Sequence, residues 1–562
     1  MFNSRARYLN NVFNIVTKIF FIFFSLLLSI LFILNAFNVI NIIPDYLYID
    51  KNNPWTVLLT NVLFFGLITS IFGFGFLIYK IFLKKHCIKV YSNECMEIIN
   101  ATKLPEILPK VLYIYTCHND LIESRVLQNK NQSYKNFEIW VSDGSSNQEW
   151  KNKIEKFCKD NNINLFQLPK PSVNKADNLN QFLNFYKDDF DYLLIGDADE
   201  VFHKNFVEYA IKIFYSNKIK NLAYVTPLNI NYRSKGIYPN TTRIIETTAF
   251  YWSLFTKNFN LANVSPLAGQ SCLISKKSLI LCYKNGKFEN VNLEDWYLEA
   301  RMVEEGNFGI MLPNAPCYFE PDVNVLVHFN RIMRIEDWRV RWWKINNKKI
   351  INNFNERFVN WYKNYIGVLF RPIIIFSSIG LLGLVIWLIS NYYNYAFKNN
   401  VLFWISLGTG FGFGLITLLL NSILIGKINY NFWDYILFPF IFVLWFLAAN
   451  IKITIHWFRS LFLGKYSQFG GSGNSRFFKS KSKTIKWWIS FLILSITITI
   501  FNVCFFILLN WSMYKWLIIF FNLYFGVVWM GVFSYLVLWY INFIPYNSNF
   551  NRNSFIECKE II

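Results

Sequence analysis

The sequence predicts an α/β domain with a mostly parallel sheet, inserted between transmembrane α-helices. Three observations predict it. The chain has 562 residues, 54% of them hydrophobic and 20% aromatic, too many for one ordinary domain and too apolar for a wholly water-soluble one. Apolar windows of about 20 residues, the length that crosses a hydrocarbon core, recur along it and leave one long polar block, 86–360. Within that block, short apolar runs alternate with helical patterns, the signature of βαβ units.

The windows fall at 17–41, 56–82, 366–391, 400–425, 433–455, 488–510 and 515–541. The first is too long for a signal-peptide core and has no small-residue cleavage site, so it reads as a retained span. Arg5, Arg7 and Lys18 precede the first window's core, and Lys80, Lys84, Lys85 and Lys89 surround the end of the second. Basic residues at both ends of this hairpin put the N-terminus and the polar block on the cytosolic side of a cell membrane that the chain crosses several times. The expected organisation is a two-span hairpin over 1–85, a cytosolic domain over 86–345, and interfacial helices with about four spans over 346–562.

Seven full crossings would leave 459–487 outside, yet that stretch carries Arg459, Lys465, Arg476, Lys479, Lys481, Lys483 and Lys486 with no acid. The conflict is resolved if 433–455, which contains Pro439, is interfacial or re-entrant, so that the basic loop returns to the cytosol. The net charge of +21 is explained by such loops and anionic lipid, and no nucleic-acid-binding module is recognisable. Nine cysteines without a CxxC pair argue against a disulfide framework or a zinc site. The five histidines show no two-histidine ligand spacing; only His203, close after an acidic cluster, is placed to add a metal or phosphate contact.

The strands expected in the block are Val111–Tyr115, Phe137–Val141, Tyr192–Ile195 and Leu222–Val225. In open sheets of this kind ligands bind beyond the carboxyl ends of the strands. The first three runs end in Thr116-Cys117-His118-Asn119-Asp120, Ser142-Asp143-Gly144-Ser145-Ser146 and Asp197-Ala198-Asp199-Glu200. Asp197 and Asp199 stand at alternate positions where a buried strand emerges, an arrangement suited to Mg2+ or Mn2+ carrying a diphosphate. Such an ion is usually held by one or two carboxylates while phosphate oxygens complete its shell. An ordinary strand-end turn would also suit those two acids, and Asp143 could merely cap a helix.

The chain at this point resembles the inverting family 2 glycosyltransferases, specifically the membrane-embedded polysaccharide synthases related to cellulose and hyaluronan synthases. The resemblance is carried by five motifs in family order. Asn136 to Ser146 looks like the second strand and its aspartate, and Lys175-Ala176-Asp177-Asn178-Leu179-Asn180 like the KAGNLN segment. Asp197-Ala198-Asp199 matches the DxD, Glu294-Asp295 the end of the TED motif, and Arg339-Val340-Arg341-Trp342 the end of QRxRW. Leu293 replaces the threonine of TED, and Trp338 the glutamine of QRxRW.

The resemblance implies a GT-A, Rossmann-like domain that uses a UDP-sugar, with a growing glycan or lipid acceptor. It implies that Asp143, Thr116, Asp120, Lys175, Asp197 and Arg341 hold the nucleotide sugar and that Asp197 and Asp199 hold the metal. Asp295, beside Glu294, would be the general base, while Trp342 and Arg339 would meet the acceptor. The stretch Trp338 to Lys344 also suits an amphipathic helix lying on a bilayer. Gly470-Gly471-Ser472-Gly473 followed by Phe477 to Lys483 resembles the mobile gating loop of cellulose synthases, and is equally an ordinary basic loop.

Overall fold

The computed structural model describes residues 5–37, 54–231, 271–282 and 307–319, together with isolated positions between 39 and 52, between 288 and 305, and at 416, 459 and 463. Apart from those three positions, the expected spans after 360 and the basic loop lie outside the described residues, as do Arg339, Arg341 and Trp342.

Helices α1 (Arg5–Ala36) and α2 (Pro54–Ala101) cover the first two apolar windows. Pro54 opens α2 at the position where its missing N–H costs no hydrogen bond. The two helices are clamped near their turn by a buried amide pair. Asn35 donates to Asn61 Oδ1 at 2.7 Å, Asn61 donates to the Val57 carbonyl, and Asn35 Oδ1 accepts from the Ile42 N–H at 2.7 Å. Ile19, Phe23, Leu26, Ile30 and Ile33 of α1, with Ile71 and Phe72 of α2, are exposed. Among the described residues no helix is long and apolar enough to cross a membrane.

Among the described residues, the polar block folds around an eight-stranded sheet. Its strands are β1 (Val111–Cys117), β2 (Phe137–Asp143), β3 (Asn164–Gln167), β4 (Tyr192–Gly196), β5 (Val201–Phe202), β6 (Leu222–Asn231), β7 (Cys272–Ser275) and β8 (Phe308–Phe319), in the order β3-β2-β1-β4-β7-β6-β8-β5. The four expected runs become β1, β2, β4 and β6. All seven residues of β1 are buried, as expected for a central parallel strand covered on both faces.

The sheet is mostly parallel, as the sequence leads one to expect, with β7 and β5 reversed. β3, β2, β1 and β4 run parallel, as do β6 and β8, but β7 lies antiparallel to both β4 and β6, and β5 antiparallel to β8. β7 is only four residues long and splits what would otherwise be two parallel halves.

Helices α3 (Glu123–Lys130), α4 (Gln148–Asp160), α5 (Lys175–Phe185), α6 (Phe206–Phe214) and α7 (Lys276–Cys282) flank the sheet. One face buries Val111, Tyr113 and Tyr115 against α4, α6 and the end of α2. The other buries Leu112, Ile114, Leu193 and Ile195 against Ala176, Leu179 and Phe182 of α5. Alternate residues of β1 and β4 thus feed separate cores, as the period of two in a strand requires.

α2 runs without a break through position 85, where the sequence suggests a domain boundary, and its last turns belong to the α/β core. Cys87, Tyr91, Cys95, Ile98 and Ile99 are buried in the same cluster as β1, and the Tyr91 hydroxyl donates to the Met311 carbonyl of β8 at 3.0 Å. Tyr91→Ala should therefore destabilise the domain by about 3–5 kcal/mol, the cost of emptying a buried aromatic site. Tyr91→Phe should cost only about 1 kcal/mol, the worth of one hydrogen bond. Chemical denaturation measures both.

Candidate active site

The site forms where β1, β2 and β4 end side by side. β1 and β2 are in register to Cys117 and Asp143, and β1 and β4 to Tyr115 and Gly196. The three polar segments named from the sequence therefore lie adjacent. Asn119, in the left-handed region at φ 59°, ties the first two together. Its backbone N–H donates to Ser145 Oγ at 2.9 Å, its side-chain Nδ2 to Ser146 Oγ at 3.1 Å, and its Oδ1 accepts from the Asn147 N–H at 3.0 Å. Asparagine is among the few residues that take this conformation readily.

Asp143 is fully buried. One of its oxygens accepts from the Ser145 N–H at 2.9 Å; the other, Oδ2, has no hydrogen-bond partner among the described residues. A buried acceptor left open is costly, so this oxygen is suited to an N–H or O–H of a ligand. The capping alternative does not hold, since Asn147 caps α4 by accepting from the Glu149 N–H. Thr116 and Asp120 are instead bound to backbone: Thr116 Oγ1 donates to the Gly196 carbonyl at 3.2 Å, and Asp120 Oδ1 accepts from the His118 N–H at 2.7 Å.

The Lys175 to Asn180 segment opens α5, and each polar residue in it has a definite task. Asn174 caps the helix by accepting from the Asp177 N–H at 2.8 Å, while Asp177 accepts from the Val173 N–H at 3.0 Å, a reciprocal box that satisfies helix-end donors. Asn178 accepts from Ser142 Oγ at 2.6 Å and donates to the Ser142 carbonyl. Asn180 donates to and accepts from the backbone of Phe288, each at 2.7 Å. Lys175, at the first helical position, forms an ion pair with Asp197.

Asp197 and Asp199 are each partly exposed while Ala198 between them and Glu200 after them are buried. The two carboxylates thus share the open side of the turn. Lys175 draws several charges together. Its burial alone would lower its pKa, but Asp197, Glu294 and Glu200 more than offset that and raise it. Glu294 and Asp295 occupy a helical turn, and both lie close enough to Cys272 to act on its thiol, alongside Lys175 and Glu200. Burial holds that thiol protonated, raised well above its usual range. The structure therefore gathers Lys175, Asp197, Glu294 and Asp295 in one place from three separate stretches of sequence.

Two acids on one open side fit a divalent ion completed by phosphate oxygens and water. Among the described residues no group of three or more His, Cys, Asp or Glu could hold a metal, so an ion here would need the ligand's oxygens. His203 does not join them. Its N–H donates to the Pro316 carbonyl and its Nδ1 accepts from the Asn205 N–H at 3.3 Å, which makes it a brace at the start of α6.

Sequence reasoning missed Glu200, Ser271 and Asn129, which hold the turn from behind. Glu200 Oε2 accepts from the Asp197 N–H at 2.9 Å and from Ser271 Oγ at 2.5 Å. Asn129 donates to the Glu200 carbonyl at 2.8 Å and accepts from the Phe202 N–H at 2.9 Å. The signal available in sequence was the third acid directly after the Asp197–Asp199 pair. Gly196 leads into this turn against Tyr113, where an added Cβ would lie 2.5 Å from the hydroxyl oxygen and 2.8 Å from the ring. Gly196→Ala should therefore cost about 1–3 kcal/mol through overpacking, read as a lowered denaturation midpoint.

A comparison with curated proteins finds none that matches. Among solved structures the chain is similar to the mannosyltransferase PcManGT from Pyrobaculum calidifontis in complex with GDP-Man and Mn2+, at 14% identity over 64% of this chain and 100% of the other, TM-score 0.38. It is similar to residues 1–349 of S. aureus TarS at 13% identity, 64% and 94% coverage and TM-score 0.31. It is also similar to glucosyl-3-phosphoglycerate synthase from Mycobacterium tuberculosis in complex with Mn2+, UDP and phosphoglyceric acid, at 14% identity, 40% and 73% coverage and TM-score 0.26. Likenesses this loose carry no weight for activity. The family match is firmer: residues 111–280, from the start of β1 into α7, match glycosyl transferase family 2.

Proposed function

We propose that this protein is an inverting, metal-dependent glycosyltransferase that polymerises a UDP-sugar, with UDP-glucose the first donor to test, into a β-linked polysaccharide and exports it across the membrane in which it is embedded. The observation that carries the transferase reading is the meeting of Asp197, Asp199, Lys175, Glu294 and Asp295 at the strand ends of a family 2 domain. Membrane embedding is supported by the exposed apolar side chains of α1 and α2, since contiguous exposed apolar surface marks contact with lipid or protein. Polymerisation and export rest on the resemblance of the Arg339 to Trp342 segment and on the apolar windows that follow it.

Inverting transfer is a single displacement, in which an acceptor hydroxyl attacks the anomeric carbon opposite the departing nucleoside diphosphate. Asp295 takes the hydroxyl proton as the new C–O bond forms, which requires only that its carboxylate reach the attacking oxygen. Asp143 Oδ2, buried and unpartnered among the described residues, accepts a hydrogen bond from the nucleoside. Lys175, and Arg341 from the C-terminal part, meet the charge that develops on the diphosphate oxygens. Mg2+ or Mn2+ held by Asp197 and Asp199 would add Lewis-acid stabilisation of the same leaving group. Trp342 and Arg339 serve the acceptor.

Purified protein with Mg2+ or Mn2+ and a panel of radiolabelled UDP-sugars tests this reading. A high-molecular-weight, lipid-free product from one donor is expected. A short, organic-soluble product would replace polymer synthesis with glycolipid synthesis, and no transfer from any donor would contradict the transferase reading. Asp295→Asn should lower turnover by about 10²–10⁴-fold, the usual worth of a general base, with UDP binding retained in calorimetry. Undiminished turnover in that variant would remove Asp295 from the role.

A further inference from the structure

The turn carrying Asp197 and Asp199 is unusual in how little of its backbone is left to itself. Thr116 Oγ1 holds the Gly196 carbonyl, and the Tyr115 hydroxyl holds the Ala198 carbonyl at 2.5 Å. The Asp197 N–H and the Glu200 carbonyl are held by the Glu200 side chain and the Asn129 amide, and Asn129 also takes the Phe202 N–H. Most of these partners come from other elements, β1 and α3. Glu200 differs, because its carboxylate turns back under its own turn.

Glu200 is fully buried. Its Oε2 gathers three donors: the Asp197 N–H at 2.9 Å, the Ser271 N–H at 3.3 Å and Ser271 Oγ at 2.5 Å. Ser271 immediately precedes β7, the strand that lies antiparallel to β4, and its Oγ lies 3.2 Å from Cys317 Sγ of β8. One carboxylate oxygen thus fixes where Asp197 leaves β4 and ties that point to the two neighbouring stretches of sheet. Burying a carboxylate is expensive, and no packing need is evident that an apolar side chain would not meet. What the oxygen supplies is placement: it accepts from the backbone N–H of the first acid of the pair while Asp197 and Asp199 remain turned to the open side.

We propose that Glu200 is a positioning residue that sets the spacing of the Asp197 and Asp199 carboxylates for a divalent ion bearing a nucleoside diphosphate, acting through the Asp197 backbone and anchored by Ser271. The inference rests on the metal–diphosphate reading of the site. Supporting groups behind metal ligands commonly change affinity by about 10–100-fold when removed. Glutamine in place of Glu200 keeps an accepting oxygen where Oε2 stands; alanine does not.

The test is calorimetric titration of the full, detergent-solubilised chain with UDP, and with GDP, in the presence and absence of saturating MnCl2. The readout is the factor by which Mn2+ tightens nucleotide binding. Wild-type protein should show a clear factor. Glu200→Ala should reduce that factor about tenfold or more while leaving metal-free nucleotide affinity near wild type, and Glu200→Gln should restore the factor to within about threefold. A folded Glu200→Ala protein whose metal-free binding is weakened as much as its binding with Mn2+ would overturn the proposal, as would a folded Glu200→Ala protein with the wild-type factor. A Glu200→Gln protein as impaired as the alanine variant would also overturn it, because charge rather than placement would then be at work. If Glu200→Ala does not fold, Ser271→Ala decides: a reduced Mn2+ factor supports the proposal and an unchanged one overturns it. Wild-type protein that binds nucleotide with no Mn2+ effect would reject the metal–diphosphate reading itself, and the role of Glu200 with it.

Discussion

The molecule depends on the ion pair between Lys175 and Asp197 and the charges that surround it. Three acids, Asp197, Glu294 and Glu200, act on a single buried lysine, and like charges so close would repel one another without it. Burial beside Asp197 also pushes the Glu200 carboxyl well above the usual carboxylate range. The fold is arranged to bring this lysine to that place. α5 begins at Lys175 behind a reciprocal cap, and Asn178 and Asn180 fasten the helix to β2 and to Phe288. A polar cluster of this kind is favourable only when its members are held in place, and the hydrogen bonds to the Gly196–Phe202 turn provide that hold.

The same arrangement separates the two faces of the turn. Asp197 and Asp199 are on the open side, where an incoming ligand can reach them. Glu200 and the tyrosines of β1 are on the closed side, where Tyr113 and Tyr115 are fully buried and burial raises their pKa values. Alternation along the chain, the rule that sorts β1 and β4 side chains into two cores, also sorts this turn into a chemical face and a supporting face.

Much of this was legible in sequence, and the reasons differ by element. β1, β2, β4 and β6 are buried apolar runs, and burial on both faces writes itself as a continuous hydrophobic stretch. β3 and β7 have four residues each and β5 has two, too few for a pattern to emerge, and β8 contains Pro313 and Pro316, which argue against a strand in sequence alone. With β7 and β5 so short, the two antiparallel insertions in the sheet leave no trace in the sequence. Asp143, Asp197 and Asp199 drew attention because strand ends concentrate ligand-binding residues, and Lys175 because its segment resembles KAGNLN. Asn129 and Ser271 were not, because an asparagine in a helix and a serine before a strand carry no signal until the fold brings them to the Glu200 carbonyl and carboxylate. The suggested boundary at 85 rested on where apolar character ends, whereas α2 continues because its apolar residues change partners and enter the core beside β1.

The central claim is that the open side of the Asp197–Asp199 turn receives a metal-bound nucleoside diphosphate while Asp143 receives its nucleoside. A cryo-electron microscopy structure of the full chain with UDP and Mn2+ tests it most directly. The account predicts the ion against the Asp197 and Asp199 carboxylates with diphosphate oxygens completing its shell, Lys175 turned toward those oxygens, and the nucleoside hydrogen-bonded to Asp143 Oδ2. Nucleotide bound away from the ends of β1, β2 and β4, or bound there with the ion held by other residues, would contradict it.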